Sequence, residues 1–203
     1  MIRIAMRVLT ACAILGLAGC ASAPLHYYTL VPPASVPANA GQPVGVPFEL
    51  LPVSVPAQVD QPQLLVRQGG QGVALLGSER WIAPLGDEVR SAMSADLSVE
   101  LNSQDVSGLP GNGKPRLRVK LDLRRFDSMP GSYALIEAAW SVHLSGSHHV
   151  EPVACSSRIR ETVAPGYAAL VQGHQRALGQ LAAQVAAVAR SLAAGEPAHC
   201  PAG

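Results

Sequence analysis

Residues 116–163 constrain the fold of this chain more tightly than any other stretch. Leu117, Val119, Leu121 and Leu123 alternate with Arg118, Lys120, Asp122 and Arg124. Side chains two apart on a strand share a face, so the segment predicts a strand with one buried and one charged face. Ile136, Ala138, Trp140, Val142 and Leu144 repeat the period after a turn at residues 127–131. A second turn at Ser145, Gly146 and Ser147 leads into a third strand over residues 150–163. Three long strands with short links predict an antiparallel meander. Its apolar face needs a cover, and the chain supplies one. Pro165 opens a helix on which Tyr167, Val171, His174, Leu178, Leu181, Val185, Val188 and Leu192 are spaced 4, 3, 4, 3, 4, 3 and 4 residues apart. That spacing suits a coiled coil as well as a helix lying on its own sheet. Alanine fills many flanking positions and charge is scarce there, which favours close packing on the sheet.

The first half of the chain adds shorter pieces. Residues 26–30 are rich in strand formers and read as a first strand. Residues 31–47 are loaded with Pro, Ala and Gly and read as a loop. A second strand over residues 48–55 is interrupted by Pro52, which suits an edge and not a central ladder. After a turn at Asp60, Gln61 and Pro62, residues 63–67 and 73–76 flank Gly69, Gly70, Gln71 and Gly72 as a hairpin. A helix is expected over residues 78–102, regular from Pro84 onward, since proline is tolerated only in a first turn. Leu85, Val89, Ala92, Met93 and Leu97 form its apolar face, with Asp87, Glu88, Arg90, Ser91 and Ser94 mostly opposite. A polar, Gly-rich loop covers residues 102–114. The whole reads as an α/β fold, a mixed and largely antiparallel sheet with two long helices packed on it.

The amino terminus carries a different kind of signal. Arg3 and Arg7 precede a short apolar run that ends in Leu17, Ala18, Gly19 and Cys20. Basic start, apolar middle and small residues before a cleavage point are the parts of a secretory leader. The run is much shorter than the roughly 20 residues of a spanning helix. A cysteine after the small pair resembles the signal of bacterial lipoproteins. The resemblance implies cleavage after Gly19, acyl chains such as palmitate on Cys20, and a lipidated tether over residues 20–25. One chain anchors marginally, at roughly 0.8 kcal/mol per buried methylene, so several would hold firmly. Ala21 follows where aspartate would favour inner-membrane retention in some bacteria, so it points to the outer membrane, facing the periplasm.

Cys12 leaves with residues 1–19 and Cys20 is consumed by lipid, so Cys155 and Cys200 remain. An even pair in an oxidising compartment favours a disulfide, with two free thiols as the alternative. Loop-closure arithmetic gives such a bond roughly 4 kcal/mol. It would tie a late strand to the tail at residues 196–203, beyond a domain over residues 26–195.

With 48% hydrophobic and 14% charged residues, a net charge of +1 and few aromatics, nothing marks a nucleic-acid binder. No catalytic constellation survives inspection. His148 and His149 sit in a turn, where solvated histidines are commoner than metal ligands. His174 lies in the apolar seam. Residues 69–72 lack the Lys-Ser/Thr of a phosphate loop and precede a strand. Glu79, Asp87 and Glu88 lie near a helix start, where carboxylates favour the dipole. Asp60 suits backbone capping in its turn. Arg80 and Trp81 fit either an interface anchor or a core tryptophan with the arginine over its edge. No catalytic residue, cofactor site or metal site is assigned, and an enzyme is not expected.

Several segments, in order, resemble one family. Tyr27, Tyr28, Thr29 and Leu30 resemble the opening of the ABC-type transport auxiliary lipoproteins, the PqiC/YmbA family. The run from Pro52 to Arg67, with Asp60, Gln61, Pro62 and Gln63 at its turn, is similar to that family's Asp-Arg-Pro-Gln stretch, with Gln61 in place of arginine. Glu79, Arg80, Trp81, Ile82, Ala83, Pro84 and Leu85 resemble its helix start, and Arg124 to Asp127 with Trp140 its central hairpin. The resemblance implies a fold related to the N-terminal domain of TolB. It also implies an accessory role beside an MCE-family protein and its permease and ATPase, moving lipids or other apolar molecules and supporting outer-membrane integrity. Some members are expected to form homo-oligomeric rings. The competing reading is an autonomous periplasmic binder holding an apolar ligand between sheet and helix. Residues 60–63, 69–72, 127–131 and 31–47 are the candidate contact segments.

Overall fold

The computed structural model describes residues 24–33, 43–111, 113–146 and 151–201. Within these lie β1 (His26–Tyr28), β2 (Phe48–Leu50), β3 (Gln63–Gly69), β4 (Gly72–Trp81), α1 (Leu85–Leu101), β5 (Leu117–Met129), β6 (Tyr133–Leu144), β7 (Val153–Thr162) and α2 (Tyr167–Ala194). The α/β fold is as expected. Its strands divide between two sheets, one ordered β1-β4-β3 and one ordered β2-β5-β6-β7. β1 pairs with β4, and β2 with β5, in parallel; the other ladders are antiparallel.

The meander forms as its alternation dictates. Leu117, Val119, Leu121 and Leu123 are all at most 1% exposed. At Arg124 the period breaks: Leu123 opposes Ala138, but Arg125 opposes Glu137, so Arg124 is an extra residue. Such a bulge shifts the phase of everything after it. The turn expected at residues 127–131 is therefore shorter. Asp127, Ser128 and Met129 remain in β5, and Met129 opposes Tyr133 across residues 130–132, where Gly131 takes φ 74°. β2 is the expected edge strand, and the chain beyond it leaves the ladder before Pro52, touching β5 again only at Ser54 beside Asp122.

The helix expected from residue 78 starts later. Residues 78–81 belong to β4, because β1 pairs with Glu79, Arg80 and Trp81 from more than fifty residues upstream. Pro84 then caps α1, with φ −51° and ψ 142°, and the helix ends at Asn102 in the left-handed conformation. Leu85, Val89, Ala92, Met93 and Leu97 are buried as read, but so is Glu88, expected on the outer face. Its carboxylate accepts from Thr29 Oγ1 at 2.8 Å and from the Leu30 amide at 2.7 Å.

α2 covers β6 and β7 and packs beside α1. Seven of its eight seam residues, all but Tyr167, are buried in the chain's own core. This is the sheet-packed arrangement and not a seam left open for another helix. Ala177, Ala182, Ala186 and Ala189 keep the approach close. Gly173 sets its limit, since a Cβ there would stand 2.2 Å from Val163 Cγ1 and 3.1 Å from Ala134 Cβ. At the far end a disulfide joins Cys155 of β7 to Cys200, with the Cα atoms 5.5 Å apart. The helix is thus fixed to the sheet at both ends.

Gly173→Ala should lower stability by about 1–3 kcal/mol, the range for overpacking against a stiff β-branched neighbour. Val163→Ala in the same chain should recover part of that loss. Urea unfolding of the two single variants and the double variant measures the coupling; simple additivity would show that the contact does not limit the approach.

Candidate docking surface

The candidate segments fall at two separate ends of β3. The turn at residues 60–62 stands at its start, where the Trp81 amide donates to Pro62 O at 2.8 Å and Gln61 Nε2 to Gln58 O at 2.8 Å. The hairpin tip stands at its finish, with Gly69 and Gly70 at φ 95° and 55°. The β5–β6 turn lies beside Val66, Arg67 and Gln68, the residues of β3 that lead into that tip, and residues 60–63 stand apart from it. Of residues 31–47, the described ones are 31–33 and 43–47. Cys20, His148 and His149 lie outside the described residues.

Where the end of β3, the β5–β6 turn and the start of α2 meet there is an open cleft of about 510 Å³. Val66, Leu76, Met129, Pro130 and Tyr167 give it apolar walls, and Arg67 and Gln68 polar ones. Beneath it Val66, Ala134, Val163 and Leu170 form a small core of their own. Val73 and Leu75 expose about half their surface on the adjoining strand. Asp127 holds Arg67 in the cleft wall. Its carboxylate accepts from Arg67 Nε at 2.5 Å and from Arg125 Nη2 at 2.7 Å. Burial would push this carboxyl up, but the two guanidinium groups hold it below the usual range. Asp127 thereby ties β3 of one sheet to β5 of the other.

A second polar centre secures the start of the described chain. Glu79 is 7% exposed. It lies 2.9 Å from His26 Nδ1 and accepts from Tyr28 Oη at 2.7 Å. Burial opposes its charge, yet the hydrogen bonds from His26 and Tyr28 win and lower its pKa. Burial, followed by the bond to Glu79, pushes the Tyr28 phenol up to about 12. Trp81 is a core residue, set edge-on to Phe126 at 6.0 Å. Arg80 does not cover it, but turns outward and donates to Gly77 O.

The face of the four-stranded sheet turned away from the helices is a shallow trough of about 750 Å³. Ala139, Ser141, Ala154 and Ser156 form its floor, and Lys120, Asp122 and Arg124 its wall.

The sequence model of the ABC-type transport auxiliary lipoprotein components matches residues 28–186. The chain belongs to that family. Its fold is similar to a crystal structure described only as an uncharacterized protein, at TM-score 0.61 and 17% identity, covering 81% of this chain and 97% of the other. Protein XCC0632 from Xanthomonas campestris is also similar, at TM-score 0.57 and 18% identity, over 79% of this chain and 92% of that one. None of the curated proteins matches the chain in sequence.

Among the described residues of this transport auxiliary lipoprotein, the one arrangement that resembles catalytic machinery is the contact of Ser128 Oγ with His174 Nε2 at 2.8 Å. Asp127 is the next residue along. Three facts separate it from a nucleophilic triad. His174 is fully buried, its ring stacks on Phe126 at 3.8 Å, and its Nδ1 has no hydrogen-bond partner among the described residues. A working triad needs a carboxylate on that nitrogen and a substrate path to the hydroxyl. No group of three or more potential metal ligands occurs among the described residues.

The Arg67–Asp127–Arg125 network escaped the sequence reading, which placed Asp127 in a turn. A trace of it was present: after Leu123 the next large apolar residue is Phe126, three positions on and not two. Tyr167 was read as a seam residue, and only the fold puts it at the mouth of a cleft.

Burial pushes the His174 imidazole down to about 3, opposed only weakly by Asp127. The unfolded chain binds this proton near the ordinary histidine pKa and the folded chain does not. Stability is therefore fully present above about pH 6.5 and falls on acidification through the window down to pH 3. Between pH 6 and pH 5 the loss from this group should be on the order of 1 kcal/mol. His174→Phe, which keeps the stacked ring, should flatten that part of the stability–pH curve. An unchanged slope would assign the acid sensitivity to other groups.

Proposed function

We propose that this auxiliary lipoprotein is a non-catalytic, lipid-anchored periplasmic subunit that docks on an MCE-type transport system for lipids or other apolar molecules. The observation that carries the reading is the family match over residues 28–186. The geometry supports docking over independent ligand capture. The space between helices and sheets is filled by Leu, Val and Ala side chains, many of them without exposure. The hollows at the hairpin cleft and the trough are open, as surfaces that receive another protein are. No helix among the described residues is long and apolar enough to cross a membrane. On this reading the anchor is Cys20, with residues 20–25 as tether, and Ala21 directs the protein to the outer membrane. The homo-oligomeric ring belongs to the same reading.

The docking end is the hairpin tip with the β5–β6 turn and the start of α2. Its shape is fixed by Asp127 and its walls are largely apolar. The chain carries little net charge, so docking should depend on fit and apolar contact more than on long-range steering, and weaken only slightly with salt.

Affinity purification of the lipidated protein from native membranes should recover an MCE-family protein, with crosslinks at residues 69–72 or 130–132. Recovery of a bound apolar ligand and no transporter component would favour the autonomous binder.

Mass spectrometry of the N-terminal peptide should show acyl chains on Cys20, and Cys20→Ala should release the protein from the membrane. A Cys20→Ala protein that is processed normally and stays membrane-bound would remove the anchor.

A further inference from the structure

Seven large hydrophobic side chains are exposed among the described residues. Three of them gather where the chain enters its first strand. Leu25 precedes β1 and is 50% exposed, Tyr27 within it is 58% exposed, and Ile82 at the end of β4 is 67% exposed. Pairing brings them together: Tyr27 opposes Arg80, and the Ile82 amide donates to Tyr28 O at 2.9 Å. Alternation separates the faces. His26 and Tyr28 turn toward Glu79, so Tyr27 turns the other way, with Arg80 beside it.

We propose that Leu25, Tyr27, Ile82 and Arg80 form a contact patch that rests on the leaflet holding the Cys20 lipid. The proposal rests on the lipid-anchor reading above. The occupant follows from where the anchor is attached. Cys20 is five residues before Leu25, and a fully extended chain of that length spans about 18 Å. The patch is therefore the part of the described surface held nearest the membrane. Its chemistry fits the boundary between headgroups and acyl chains. A tyrosine ring with its hydroxyl is favoured at that depth. Leu25 and Ile82 supply apolar area, and Arg80 a cation for phosphate.

Size favours the same occupant. A stable protein interface takes about 800 Å² from each partner, more than three side chains offer. A surface already tethered needs far less, because the contact is then intramolecular. Arg80 is the charged residue of the patch. The contact is apolar in the main and does not require an acidic leaflet.

The orientation has a consequence for docking. β4 runs ten residues from the hairpin tip to Trp81. At about 3.3 Å per residue it sets the tip up to about 30 Å from the patch. A domain seated on Tyr27 and Ile82 therefore holds the cleft of Arg67, Met129 and Tyr167 at a site separate from the membrane contact.

The test uses the full lipidated chain in vesicles of phosphatidylethanolamine and phosphatidylglycerol. An environment-sensitive fluorophore is placed by Ile82→Cys, and in a control by Leu109→Cys, since Leu109 is 61% exposed on the loop before β5. The position-82 probe should brighten severalfold on reconstitution and be quenched by spin-labelled lipid, while the position-109 probe does neither. Protein that floats with vesicles while both probes stay aqueous overturns the patch and leaves the anchor standing. Protein that does not float overturns anchor and patch together. A position-82 probe already bright in the Cys20→Ala chain without vesicles means that a second copy covers the patch, and this too overturns the proposal.

Discussion

The close approach of α2 to its sheet is the constraint on which the rest of the molecule depends. Gly173 lets the helix backbone come against Val163 and Ala134, and the alanines further along keep it near β6. A larger residue at any of these places would lift the helix and open voids under the leucines and valines of the seam. The approach is fixed at one end by the short link from β7 and at the other by the Cys155–Cys200 bond. Between them, a buried relay runs from Trp140 Nε1 to Ser157 Oγ at 2.8 Å, and from that hydroxyl to Gln184 Oε1. It joins β6, β7 and α2 through polar groups that would each be costly if unpaired. α1 then packs on the flank of a helix that is already in place.

A core filled in this way leaves function to the edges, and three buried carboxylates decide what those edges can do. Asp127 ties the two sheets where they would otherwise part, and the cleft stands on that tie. Glu79 draws β1 onto β4 through His26 and Tyr28, while Glu88 holds Thr29 and Leu30. Buried charges of this kind persist only when nearly every acceptor site finds a donor. Asp127 meets that condition with Arg67, sixty residues upstream, and with Arg125, two residues away; Glu79 meets it with His26 and Tyr28, more than fifty residues upstream.

Remoteness in sequence also explains what could be read from the chain and what could not. The strands from Leu117 to Leu144 were legible because alternation is local, and α2 because its seam repeats over twenty-five residues. The extension of β4 to Trp81 was not. Residues 78–81 owe their strand to three residues of β1 far upstream, and no periodicity reports a parallel partner. Glu88, three residues after Leu85 and four before Ala92, borders the apolar face of its helix, and its charge alone argued for the wet side until Thr29 and Leu30 folded over it. The same cause hid the candidate site. Arg67 and Asp127 lie sixty residues apart, and each looked like an ordinary surface charge until the two sheets were brought together.

On the lipid-anchor reading, which holds the chain by its amino terminus, the polar clamp on β1 matters most. β1 is three residues long, and a parallel ladder of that length resists little by itself. Any pull along a lipid tether reaches the domain first at His26 and Tyr28. Both are bonded to Glu79, which is rooted in the ten-residue strand β4. The next two residues are bonded to Glu88, which is rooted in α1. Load therefore passes from a short edge strand to a long strand and to a helix, through charge-assisted hydrogen bonds to carboxylates that are themselves buried. A hydrophobic contact at the same place would hold the strand but let it slide, because apolar contacts are not directional. Hydrogen bonds to fixed carboxylate oxygens keep β1 in register. In a lipid-anchored protein that register also sets which way Tyr27 and Ile82 face.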